Sequence, residues 1–372
     1  MTNDHRSESQ EAILGNLMKF GVNNSALTTV RAVTLCAALV IANIATANKG
    51  VAAVPRVDYE YTGDISLGAP SFYDYLTLDA ASHHLYISHF DQVAVVDTRS
   101  RKVIGAIGPL KGSHGVAIVP NLGKGYADSG DDGVVAVFDL ATLQIIKRIK
   151  ISKGADGMVY DERSGSVLVV AGDAKNLTVI SSVDDTVLRT ISLPGKPEFL
   201  APDNSGQVYV NITDNAAICK VDIASGKIEA IWPLKDCEAP HGLAYDAQSN
   251  RLFSGCASGH MVVVNASDGE NVANLAIGTA SDGLVIDSRR RLVLTSNWPG
   301  TVTAVRLGEG DHYAVARTLP TFFGGRNMTL DPDTGTLFVA HGHTTIVGTK
   351  QDVLNLRFGW DGVEVAVFEP QP

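Results

Sequence analysis

Seven positions in this 372-residue chain recur every 40 to 44 residues and are rich in groups that can do chemistry: Asp74, His114, Asp156, Pro197, His241, Asp282 and Arg326. Six of the seven ionise, in a chain of which only 19% is Asp, Glu, Lys or Arg, and Glu198 follows Pro197 closely enough to take its place. Neighbours in this series pair opposite charges: His114 with Asp156, His241 with Asp282, Arg326 with Asp74. If the fold brings the series together, imidazoles, carboxylates and a guanidinium face one centre. Such a set can hold a polar ligand or a cation. It can equally neutralise itself and hold water through hydrogen bonds. Imidazole suits zinc, copper, iron or nickel and carboxylates suit calcium, magnesium or manganese. His114 and His241 are therefore candidate metal ligands, and a divalent metal is the candidate cofactor.

An internal repeat positions the series. Its copies are YLTLDAASHHLYIS from Tyr75, GVAIVPNLGKGYAD from Gly115, GMVYDERSGSVLVV from Gly157, EFLAPDNSGQVYVN from Glu198, GLAYDAQSNRLFSG from Gly242, GLVIDSRRRLVLTS from Gly283 and NMTLDPDTGTLFVA from Asn327. Successive starts lie 40, 42, 41, 44, 41 and 44 residues apart. In each copy a short apolar run ends near an Asp or Pro, a turn follows, and a second apolar run begins. A third run alternates, as in VAVVD ending at Asp97, VVAVFD ending at Asp139 and CKVDI from Cys219. A fourth follows a polar turn, as in KVIGAI from Lys102, QIIKRIKI from Gln144 and KIEAI from Lys227.

Four period-two strands joined by Gly, Asp and Ser turns make one antiparallel sheet, and the 36 glycines suit many tight turns. One such sheet cannot bury both faces alone, so the copies must stack, and radial stacking leaves only short, protected edges. The expected fold is all-β, a seven-bladed β-propeller of four-stranded antiparallel blades. The seventh copy ends with a third strand, GVEVAVFE from Gly362 to Glu369, and lacks a fourth. The segment VDYEYTGDISLG, Val57 to Gly68, has the alternation of the missing strand. The last blade is thus expected to be closed by this N-terminal strand, with the propeller spanning 57–370.

The repeat resembles that of the YVTN-repeat, or YncE-like, periplasmic propellers. The stretches that carry the likeness are GMVYDERSGSVLVV, the VYVNI of Val208 to Ile212, LFVAH at Leu337 and GVVAVFD at Gly133. The literal YVTN tetrapeptide is absent, and the seventh copy carries an insert. The resemblance implies a propeller fold and export. It implies little about activity, because its signature residues build strands and turns, and a propeller hosts unrelated functions.

In a propeller the first strand of each blade lines the central channel, so the seven positions fall at the channel mouth. Loops between second and third strands are expected on the same face, bringing His89, Asp128, Asp131, Asp173, Asn211, Asn297, Trp298, His341 and His343 near it. His341 and His343 stand in an H-x-H arrangement and are further candidate metal ligands. The ligand-binding set is therefore Asp74, His114, Asp156, Glu198, His241, Asp282, Arg326, His89, Asn297 and Trp298. No residue is assigned a catalytic role. The insert at 344–360 combines Lys350 and Arg357 with Leu354, Leu356, Phe358 and Trp360. As a loop it reads as a lid, a docking surface or a cover over the junction of blades seven and one. Cys237 and Cys256 are expected near one face and can form a disulfide, whereas Cys219 sits in a strand.

Val33 to Ala47 is an apolar run of 15 residues closed by Ala45-Thr46-Ala47, too short for a bilayer span of about 20 residues and ending like a signal-peptidase site. Residues 1–47 are read as an export segment, its first 17 residues either a mis-called start ahead of Met18 or an extension, and 48–56 as a linker. The mature chain is expected in the periplasm or secreted, with no membrane span. Lys+Arg 30 against Asp+Glu 40 gives a net charge of −10, which argues against bulk nucleic-acid binding. Four cysteines without C-x-x-C or C-x-x-C-H give no support to covalent haem. No G-x-S-x-G elbow or phosphate loop is present. Three functions fit. The first is an exported propeller binding a small polar ligand, a metal ion or a protein partner at the channel mouth. The second is a metal-assisted lyase, lactonase or hydrolase using a His/Asp cluster on that face. The third is a scaffold docking another periplasmic protein through 344–360.

Overall fold

The computed structural model describes residues 57–350 and 353–371, with side chains described outside 343–360. Residues 1–56, where an export segment and a linker are expected, lie outside the described residues. Strand alternation decides the architecture. On the strand Gln207–Ile212, Val208, Val210 and Ile212 pack against blade three, while Tyr209 packs against blade five. Successive side chains of a strand point to opposite faces, so each sheet has two apolar faces that only neighbouring sheets can cover. The described residues form seven four-stranded antiparallel sheets. The apolar clusters each bridge adjacent blades, for example Leu168, Val170 and Leu177 of blade three with Val208 and Val210 of blade four. Burying one such Leu or Val stabilises by about 1.5–3 kcal/mol.

The innermost strands are Leu76–Asp79, Val116–Val119, Ala155–Asp161, Pro197–Pro202, Pro240–Asp246, Ser281–Asp287 and Asn327–Leu330. Each touches the next, and the last touches the first, in an unbroken cycle. Closure is as expected from the repeats. The strand Tyr59–Gly68 pairs antiparallel with Val353–Pro370, with Asp64 opposite Ala366 and Ile65 opposite Val365. The seam is also apolar: Ile65, Val363, Val365 and Val367 pack with Tyr73, Leu85 and Ile87 of blade one.

The recurrent aspartates hold turns. The Asp161 carboxylate accepts the Ser164 N–H at 2.9 Å, that of Asp287 the Arg290 N–H at 2.9 Å, and that of Asp222 the Ser225 N–H at 2.7 Å, the Asx-turn geometry that makes this residue type recur at strand ends. Cys237 and Cys256 form a disulfide with Cα atoms 5.5 Å apart, and Cys219 is a buried free thiol. Among the described residues no helix is long and apolar enough to cross a membrane.

The insert differs from the loop expected of it. The strands Leu337–Lys350 and Val353–Pro370 carry 344–350 and 353–360 in extended conformation, because the alternation of the blade's second and third strands continues into them. Likewise His89, Asp128, Asn211, Asn297 and His341 lie on second strands rather than in the loops beyond them.

Candidate functional site at the channel mouth

The seven innermost strands start at one end of the central axis, and the repeat-start residues gather there. A recurrent irregularity aims four of them. Pairing passes from Ala155↔Ala171 to Met158↔Val169, from Pro197↔Ile212 to Leu200↔Val210, from Pro240↔Cys256 to Leu243↔Ser254, and from Ser281↔Asn297 to Leu284↔Thr295. Each step leaves two residues opposite one, a β-bulge of the kind that re-aims a side chain. The first bulged residue is Asp156, Glu198, His241 or Asp282. Glycine follows three of these, and the reason at Gly157 and Gly242 is close approach. A Cβ on Gly242 would lie 2.5 Å from the Asp282 carbonyl oxygen, and one on Gly157 2.6 Å from that of Glu198.

The three cations are fixed from the preceding blade. The Ser88 hydroxyl donates to the His114 carbonyl at 2.6 Å, the Asn211 amide to the His241 carbonyl at 2.9 Å, and the Ser296 hydroxyl to the Arg326 carbonyl. Ser88, Asn211 and Ser296 share the fifth place of their second strands.

The charges form a chain around the mouth. His241 Nδ1 lies 3.2 Å from Glu198 Oε1 and 3.8 Å from Asp282 Oδ1. Arg326 donates to Asp282 at 3.2 Å, lies 3.7 Å from Asp74 and donates to the Tyr73 carbonyl at 3.0 Å. Asn327 donates to the other Asp74 oxygen at 2.8 Å. The Arg326 guanidinium sits 5.6 Å from the Tyr73 ring centre and 5.5 Å from that of Trp298, within cation–π range. The sequence pairs His241–Asp282 and Arg326–Asp74 are thus in contact, and Glu198 occupies the place of Pro197.

The expected pair His114–Asp156 is not formed. His114 Nδ1 lies 3.4 Å from Asp128 instead, and the His114 and Gly115 N–H groups both donate to Asp128 at 2.7 Å. Asp128 is fully buried, so its carboxylate needs these partners. Asp156 is left half-buried, without an ion pair or hydrogen bond for its carboxyl among the described residues.

These surroundings move the titrations. Burial opposes a charge on His241, but Glu198 and Asp282 outweigh it and lift the imidazole to about 9. For His114, burial is outweighed by Asp128, Asp156 and Asp74, and its value rises to about 10. Burial raises the Asp74 carboxyl to about 6 against the opposing pull of Arg326 and His114. Burial, then repulsion from Glu198, pushes the Asp156 carboxyl well above the ordinary carboxylate range. Glu198 also suffers burial, yet His241 holds it below its usual value.

Sequence reasoning missed a second layer. The rings of Tyr75 and Phe199, from blades one and four, meet across the axis with centroids 4.9 Å apart. The signal was present: the place after each mouth residue is glycine in four blades but Tyr75 and Phe199 in these two. The remaining candidates lie apart from the charge chain or support it. Trp298 belongs to it through Arg326. His89 is buried with Nε2 2.8 Å from the Pro70 carbonyl. Asn297 is buried, its amide donating to the Thr301 and Thr303 hydroxyls at 3.1 and 3.2 Å. His341 groups with Asp64 and Glu364 of blade seven, not with His114 and His241. The His343 side chain lies outside the described residues. Glu198, His241 and Asp282 place one ligand atom each within 4.8 Å of one another.

No protein-family model matches the chain, and no curated protein does. Solved structures match in large number. One is the Kuenenia stuttgartiensis hydrazine synthase, with a TM-score of 0.65 and 17% identity over 74% of this chain and 94% of that one. A likeness at that identity speaks to fold alone. The chain is a seven-bladed β-propeller with a charged mouth.

Proposed function

We propose that the protein is an exported propeller of the YVTN-repeat type that binds a small polar ligand bearing an ammonium or similar cationic donor at the channel mouth. The observation that carries the reading is Asp156. Its half-buried carboxyl is repelled by Glu198, is attracted by His114 only at a distance, and has no ion pair or hydrogen bond among the described residues, whereas His114, His241 and Arg326 are already engaged by Asp128, Glu198, Asp282 and Asp74. Burial and neighbouring acids favour the neutral form of such a carboxyl, and a ligand cation would supply the partner that lets it ionise. Tyr75 and Phe199 form the apolar floor against which the ligand body rests. Export is supported by the run ending in Ala45-Thr46-Ala47 and by the Cys237–Cys256 disulfide, a bond that persists in oxidising compartments.

The probe is 1,4-diaminobutane, titrated calorimetrically into the full chain. Binding weakened tenfold or more by Asp156→Asn, with unchanged melting, is the expected result. Equal affinity in the two proteins, or no heat with the native chain, overturns the reading. Metal-assisted chemistry at Glu198, His241 and Asp282 is disfavoured by two cations already there. A metal would have to displace a proton held to about 9 on His241 and compete with Arg326 for Asp282.

A further inference from the structure

We infer that Asp64, His341 and Glu364 form a zinc-class metal site that locks the seam of the ring, separate from the mouth. His341 Nε2 lies 3.6 Å from Asp64 Oδ1 and 4.0 Å from Glu364 Oε2, and the three ligand atoms all fall within 4.8 Å. Donors around a tetrahedral zinc at its usual bond lengths are about 3.3 Å apart, so closing on an ion asks only small side-chain movements. The site is made by three strands that meet only when the ring closes. Asp64 is on the N-terminal strand Tyr59–Gly68, Glu364 on the C-terminal strand Val353–Pro370, and His341 on Leu337–Lys350.

The surroundings orient the ligands. His341 is buried, and its ring stacks on Phe322 with centroids 4.4 Å apart and planes 13° apart. The Tyr61 hydroxyl donates to the other Asp64 oxygen at 2.5 Å, and Tyr61 itself packs against Phe322 and Phe368. Outer partners of this kind fix ligand geometry in metal sites. One imidazole with two carboxylates supplies three of the four donors of a tetrahedral ion. The imidazole favours zinc and its neighbours over calcium or magnesium. Because the donor set exists only in the closed ring, an ion that binds it stabilises closure by mass action.

The test uses the full chain and zinc alone. After exposure to one equivalent of zinc and gel filtration, elemental analysis should find one zinc per chain, and melting should rise by several degrees. Asp64→Asn and His341→Gln should each lose the zinc and the rise, while His241→Gln keeps both. Should His341→Gln fail to fold, cobalt(II) in the native chain reports the ligands directly. A spectrum of nitrogen and oxygen donors that Asp64→Asn abolishes upholds the site. Zinc retained equally by Asp64→Asn and the native chain, zinc lost in His241→Gln, or none bound at all overturns it.

Discussion

The Tyr75 and Phe199 rings lie 4.9 Å apart although their residues open blades one and four, so the floor of the mouth is made by two side chains reaching across the axis. Asp156 is the first of the charges acting on Tyr75, which places this floor beside it, and burial is the first cause of its raised carboxyl. The double variant Tyr75→Ala/Phe199→Ala should return the Asp156 titration toward the ordinary carboxylate range, followed by NMR of the carboxyl carbon. Both rings are half-buried, so the stability lost should be about 1–2 kcal/mol, below the cost of removing a fully buried aromatic.

Asn211 is expected to act as a positioning residue. Its amide donates to the His241 and Gly242 carbonyls, and its oxygen accepts from Ser254. Asn211→Ala leaves buried carbonyls unpaired, at a cost of about 1–3 kcal/mol, measurable by denaturant unfolding. It should also weaken diamine binding, because the His241 backbone is no longer held. Asn211→Asp, which cannot donate when ionised, should behave like the alanine variant.

Much of the site was legible in the repeat, and the failures have physical causes. Period-two runs at a near-constant spacing fixed blade number, the closing strand and the positions of Asp74, Glu198, His241, Asp282 and Arg326. Pairing was harder, because a ring position has two kinds of neighbour. Adjacent blades supply one, as for His241–Asp282, and the blade's own second strand supplies the other, as for His114–Asp128. Spacing reveals only the first kind. His89 and Asn297 ended in buried hydrogen bonds because they stand sixth on their second strands, one place beyond the fifth-place residues Ser88 and Ser296 that hold the mouth. Residue type alone does not separate those two places.

Stability should fall as the solution becomes alkaline. His241 and His114 have folded values near 9 and 10, above the ordinary histidine value of 6.5. Folded chains therefore hold protons that unfolded chains release, and stability declines wherever the folded state binds more. The stabilisation is fully present below about 6.5, is eroded above it, and is gone once both folded values are passed. Denaturant midpoints between pH 6 and 10 should show this decline, with a shallower slope in His241→Gln. A midpoint that rises over that range would contradict the protonated pairs.

The disulfide closes a short loop, Cys237 and Cys256 being 19 residues apart. A loop of this size corresponds to about 3 kcal/mol in the chain-entropy account. Cys237→Ser/Cys256→Ser should lower the midpoint accordingly, and reducing agent should lower the native chain's midpoint but not the variant's. Thiol counting under denaturing conditions should find one titratable group from the residues after Ala47, that of Cys219.

Proton release on ligand binding tests the mouth most directly. Asp156 holds a proton well above the usual carboxylate range, so an ammonium that takes its place must expel that proton. Calorimetric titration of 1,4-diaminobutane at pH 6 in buffers of different ionisation enthalpy should show net proton release on binding, falling toward none in Asp156→Asn. Binding heats independent of the buffer, or a release that survives Asp156→Asn, would contradict the account.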